Sequence, residues 1–173
     1  MPLDQIANIA EICAALLVIV SLIYVGLQIR QNTKAVRLST AHNITEEFRD
    51  NYAAIAQQGD LAEIYLKGLV DVDSLNPTEQ MRFYLHLHGL FRAFENAYYQ
   101  KSEGALDPRV WKGINQQFVF LKDRPGFQTY WGDREKWYSD DFQSYYNDHI
   151  LAQQAPAPFR LPGQTAASLS NNN

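Results

Sequence analysis

ICAALLVIVSLIYVGLQI, residues 12–29, is a run of 18 residues without a single charge. As an α-helix it covers ~27 Å, close to the ~30 Å hydrocarbon core of a bilayer. A helix buried inside a soluble protein is rarely apolar on every face. A cleaved secretory signal needs a basic leader and a small-residue cleavage site. The preceding MPLDQIANIAE instead carries Asp4 and Glu11 and neither Lys nor Arg. The run therefore reads as a membrane-spanning helix, and the rest of the chain is parsed from it.

Basic residues set the expected orientation. Arg30, Lys34 and Arg37 follow the run directly, and none precedes it. By the positive-inside rule the C-terminal side faces the cytoplasm and the short N-terminus lies outside. These three bases fall at i, i+4 and i+7, on one helix face, where they can meet anionic lipid headgroups. Tyr24, near the inner end, suits an interfacial aromatic. From Ile12 to Thr45 no residue is acidic, so a net charge of −4 describes mainly the remainder.

One face of the span differs in kind. Ala7, Glu11, Ala14, Val18, Ser21, Val25 and Gln28 recur at alternating steps of four and three, and none is Leu, Ile or aromatic. Small and polar side chains at this spacing let helix backbones approach and hydrogen-bond within a bilayer. A carboxylate facing lipid at Glu11 is costly, which also favours turning this face toward another helix. The expected result is a homo-oligomer.

Beyond the span the apolar period stays near 3.6 and no alternating strand pattern occurs, so the fold class is all-α. Leu38, Ala41, Ile44, Phe48, Tyr52 and Ile55 form a stripe expected to end at Gly59, with Asp60 as N-cap of a short helix to Leu69. Asn76-Pro77 with Glu79 opens a long helix running to Glu103 and stopping at Gly104. Asp107-Pro108 starts another, with Trp111, Ile114, Phe118 and Leu121 as its apolar stripe. Arg124-Pro125-Gly126 is a break before helices over 127–137 and 139–151. The eleven aromatic residues from Trp111 to Tyr146 can supply a core. The segment 152–173, AQQAPAPFRLPGQTAASLSNNN, reads as a disordered tail. The domains expected are thus residues 1–29 (external end and span), 30–151 (cytoplasmic bundle of about five helices) and 152–173 (tail).

Composition excludes several function classes. A single cysteine, Cys13, rules out a disulfide scaffold and paired-thiolate zinc sites. Mild acidity with thinly spread bases gives no nucleic-acid footprint. His86 and His88 are two apart and point to different sides of a helix. No H-E-x-x-H or E-x-x-H pair occurs, so neither a metal nor another cofactor is expected. No nucleophile elbow, phosphate loop or dinucleotide fingerprint is present. One polar line interrupts the long central helix: His88, Arg92, Glu95 and Tyr99, at i, i+4, i+7 and i+11. It reads either as a seam that fixes helix register or as a ligand-binding cluster.

The apolar span running into Leu27-Gln28-Ile29-Arg30-Gln31-Asn32-Thr33 joins several further stretches. These are Phe94-Glu95-Asn96-Ala97-Tyr98-Tyr99-Gln100, Gly104-Ala105-Leu106-Asp107, Trp111, Pro125-Gly126 and Trp131. Together, from Ile9 to about Phe142, they resemble a group of uncharacterised bacterial proteins with one N-terminal span. The resemblance implies an inner-membrane protein of helical fold. The group has no established activity, so it carries over no catalytic residue.

The expected function is a membrane-anchored, self-associating module that scaffolds or binds an unidentified protein partner at the cytoplasmic face, more in keeping with a non-enzyme. Two alternatives stand beside it. One is a small homo-oligomeric channel lined by Glu11, Ser21 and Gln28. The other is a ligand sensor or enzyme using His88, Arg92, Glu95 and Tyr99.

Overall fold

The computed structural model describes residues 3–154, with side chains from Glu11 onward. Among them every regular element is helical. Six α-helices follow in order: α1 Leu3–Gln57, α2 Gly59–Val70, α3 Pro77–Ser102, α4 Pro108–Leu121, α5 Pro125–Arg134 and α6 Asp140–Tyr145. Short 3₁₀ turns at Val72–Ser74 and Glu135–Trp137 link neighbours, and a π-helical turn, Tyr146–Leu151, continues α6. The all-α expectation holds. The expected tail falls largely on 155–173, outside the described residues.

The chain divides into two units, Met1–Ser39 and Thr40–Asn173. In the first, α1 presents the whole run from Ile12 to Ile29 outward; even its least exposed large side chain, Val25, is 47% exposed. This helix is long and apolar enough to cross a membrane. α1 stays helical to Gln57, through the β-branched residues that follow Thr33. Thr33 and Thr45 each donate their hydroxyl to the carbonyl four residues back, at 2.9 and 2.8 Å, so these side chains bond within the helix rather than break it.

The second unit has its own core. Ile44 and Phe48 of α1, Leu69 of α2 and Phe118 of α4 pack with Phe83, Leu87, Leu90, Phe91 and Phe94 of the central α3. Phe127 and Tyr130 of α5, then Phe142, Tyr146 and Ile150, close the other side. Of the stripe read on α1 only Ile44 and Phe48 are buried; Leu38 and Tyr52 are exposed, and Ala41 and Ile55 are half-buried.

Helix starts follow the expected chemistry at two of three places. Asn76 accepts from the amides of Thr78 and Glu79, both at 3.0 Å, while the Glu79 carboxylate accepts from Asn76 N–H at 3.0 Å. Pro77 and Pro108 occupy first positions, where the missing N–H removes no helical bond. The third expectation is corrected. Gly59 does not terminate α1 but opens α2, whose N-cap is Gln58; Asp60 sits in the first turn and accepts from the adjacent Leu61 N–H at 2.9 Å. Its other oxygen pairs with Arg82 of α3 at 2.6 Å, so a cross-helix ion pair takes the carboxylate that a cap would have used.

At the far end of α3, Gly104 has φ +68°, the left-handed conformation that glycine adopts without Cβ strain, and the chain turns there as expected. α5 is shorter than the expected 127–137, because the 3₁₀ turn takes its last residues.

Candidate functional site

α3 carries the polar line, and the segment 130–139 packs across it. Arg92 Nη1 donates to Glu95 Oε2 at 2.6 Å, and Arg92 Nη2 donates to the Trp137 carbonyl at 2.9 Å. The other Glu95 oxygen accepts from the Ser139 N–H at 2.9 Å, at the start of α6. The buried Glu95 carboxylate is thus bonded on both oxygens, as a charge out of water requires. The Arg92 guanidinium lies 4.9 Å above the Tyr138 ring, adding a cation–π contact. Residues 92, 95, 137 and 139 form a clamp that fixes the path from α5 to α6.

His88 belongs to a second network. Its Nδ1 lies 3.2 Å from the Tyr130 hydroxyl and 3.4 Å from that of Tyr138, and the two hydroxyls are 2.7 Å apart. The imidazole and the two hydroxyls thus form one hydrogen-bonded network, which either His88 tautomer can close. Burial, helped by the nearby Arg92 charge, lowers the His88 pKa, while Glu95 partly opposes this. Burial raises the phenol pKa of both Tyr130 and Tyr138. The network is therefore neutral at pH 7.

Tyr99 does not join either network. It lies exposed one turn beyond Glu95, with its ring near Tyr98 at 5.9 Å. Glu11, Ala14, Val18, Ser21, Val25 and Gln28 are exposed on α1, as are Arg30, Lys34 and Arg37. The Gln28 amide donates to the Tyr24 hydroxyl at 2.9 Å. The Ala7 side chain lies outside the described residues. Among the described residues, no group of three His, Cys, Asp or Glu is placed to hold a metal ion.

The sequence line missed the feature beside it. Between α3 and α5 runs a groove of about 550 Å³, within the size range of small-molecule sites. α3 contributes Met81, Tyr84, Leu85 and His88; the other wall holds Tyr130, Asp133, Arg134 and Trp137. Tyr84 donates its hydroxyl to Asp133 Oδ2 at 2.6 Å, and burial together with this bond pushes its pKa up to about 12. A signal existed: residues 130, 133, 134 and 137 fall at i, i+3, i+4 and i+7, a helical face mixing aromatics with both charges.

His86, next to this face but turned toward α1 and α2, behaves differently. It is buried edge-on to Tyr65 (5.1 Å, 82°), and its Nε2 has no hydrogen-bond partner. Burial lowers its pKa from 6.5 to about 4. The unfolded chain takes up this proton near pH 6.5 and the folded one only near pH 4. Stability from this group is thus complete above pH 6.5 and falls as pH drops toward 4, by up to about 3 kcal/mol. Urea unfolding of wild type and His86→Leu across this range measures it: the difference between the two is expected to flatten above pH 6.5.

Comparison with protein families, with curated proteins and with solved structures finds no match to this chain. The functional reading rests on the molecule itself.

Proposed function

We propose that the protein is a membrane-anchored, self-associating helical module that scaffolds or binds a protein partner at the cytoplasmic face of a bacterial inner membrane. One observation carries this reading. The uncharged run 12–29 is exposed all round its helix, with every large apolar side chain in it at the surface, although the same chain builds a buried apolar core further along its sequence. In water such a surface carries a large hydrophobic cost, which a bilayer removes. Arg30, Lys34 and Arg37 at its C-terminal end support an N-out orientation.

Self-association rests on the face of small and polar residues through Ala14, Val18, Ser21 and Val25, whereas Ile23 and Leu27 lie off it. In a Cys13→Ser background, disulfide cross-linking of Ser21→Cys in native membranes is expected to give dimers, and Ile23→Cys to give none. Equal yields at the two positions refute the seam.

A further inference from the structure

The groove between α3 and α5 has walls of an unusual kind. Tyr84 and Tyr130 meet edge to face at 5.4 Å, and so do His88 and Trp137 at 5.7 Å. The Tyr130–His88 hydrogen bond joins the two pairs, so four aromatic rings line one groove. Asp133 stands at its edge with Oδ2 held by Tyr84. Aromatic faces carry negative potential, and a carboxylate beside them adds to it. Such a lining favours a cation with dispersed charge.

A cation already tests that fit. The Arg134 guanidinium carbon lies 4.7 Å from the Trp137 ring centroid and 5.4 Å from that of Tyr84, within reach of both π faces. Even so, Trp137 remains 56% exposed, and Met81 and Leu85 present apolar surface along the same groove. Arg134 itself lines the groove, and its volume of about 550 Å³ is open space beside that side chain, walled in part by Met81 and Leu85. The neutral His88 adds no competing charge.

We propose that this groove binds an organic cation, an alkylammonium or guanidinium group, seated on Tyr84 and Trp137 beside Asp133 and displacing the Arg134 side chain. Arg134 then serves as an internal plug that sets a threshold for binding. The site is independent of how α1 is anchored.

The test uses the full chain in a non-ionic detergent without choline groups. Calorimetric titration with choline and with argininamide is expected to show weak binding to wild type and at least tenfold tighter binding to Arg134→Ala. Trp137→Leu or Asp133→Asn added to that variant is expected to lose at least tenfold. Arg134→Gln serves in place of Arg134→Ala if the latter does not fold. The uncharged choline isostere 3,3-dimethylbutanol is expected not to bind. Phosphatidylcholine nanodiscs, run in parallel, separate a lipid headgroup from a soluble cation as the source. Two results overturn the proposal: no cation gain, free or headgroup-borne, on removing the Arg134 charge, or equal binding of the uncharged isostere.

Discussion

Replacing Phe94 by alanine is expected to lower the unfolding free energy of the folded domain by about 3–5 kcal/mol, enough to consume much of the stability of a domain this size. Phe94 is fully buried and lies where three elements converge. It stacks on Phe118 at 3.7 Å with an 11° interplanar angle and on Trp111 at 5.6 Å, both from α4. Phe142 of α6 meets it edge to face at 5.4 Å. Large rings cannot close a space the size of a phenyl group without leaving their own contacts, so the cavity term adds to the lost transfer energy. Urea unfolding of the full chain in detergent, followed by tryptophan fluorescence, measures the loss. A cost below about 1 kcal/mol would show that the ring stack is not a constraint on the core.

A second substitution acts in the opposite way, by overfilling. A Cβ on Gly126 of α5 would overlap the carbonyl oxygen of Gly68 in α2 and come within 2.9 Å of Phe83 Cζ. The obstacle is backbone, which cannot rotate aside, and Phe83 is itself fully buried. Gly126→Ala is therefore expected to cost about 3 kcal/mol, the upper end of overpacking penalties. Gly113→Ala in α4 is the control: nothing lies within 4 Å of its Cβ, so helix propensity alone predicts a gain of about 0.5–1 kcal/mol. If both variants unfold at the same urea concentration, the α2–α5 crossing is looser than described.

How much of this was legible depended on range along the chain. Asn76-Pro77-x-Glu79, Gly104 and Asp107-Pro108 announce helix ends by chemistry within four residues, and each end stands where that chemistry puts it. Gly59 misled because Asp60 found a partner 22 residues away, Arg82, which no local pattern encodes. The same limit applies to the polar line. His88, Arg92 and Glu95 were visible as one face of α3, but Tyr130, Tyr138 and the Ser139 amide reach them from over 40 residues on. Tyr99 was included by periodicity alone, whereas the chain beyond Ser139 packs on its neighbour Tyr98, through Phe142 and Tyr145. The close approach of Gly68 and Gly126 was likewise invisible, since glycine at a helix crossing reads like glycine at any cap.

The position of Phe91 has a consequence for the newly made chain. Its ring touches Phe118, Phe127, Tyr130, Trp131, Tyr138 and Tyr146, all of them later in the sequence. At synthesis rates of about 5–20 residues per second, the last of these partners leaves the ribosome roughly 3–11 s after Phe91. Throughout that interval Phe91 lacks part of the aromatic shell that buries it, although α1 and α2, made earlier, already offer Ile44, Phe48 and Leu69 to the same core. The domain thus passes through a window of seconds in which this side of its core is incomplete, and incomplete apolar cores are the species from which aggregation starts.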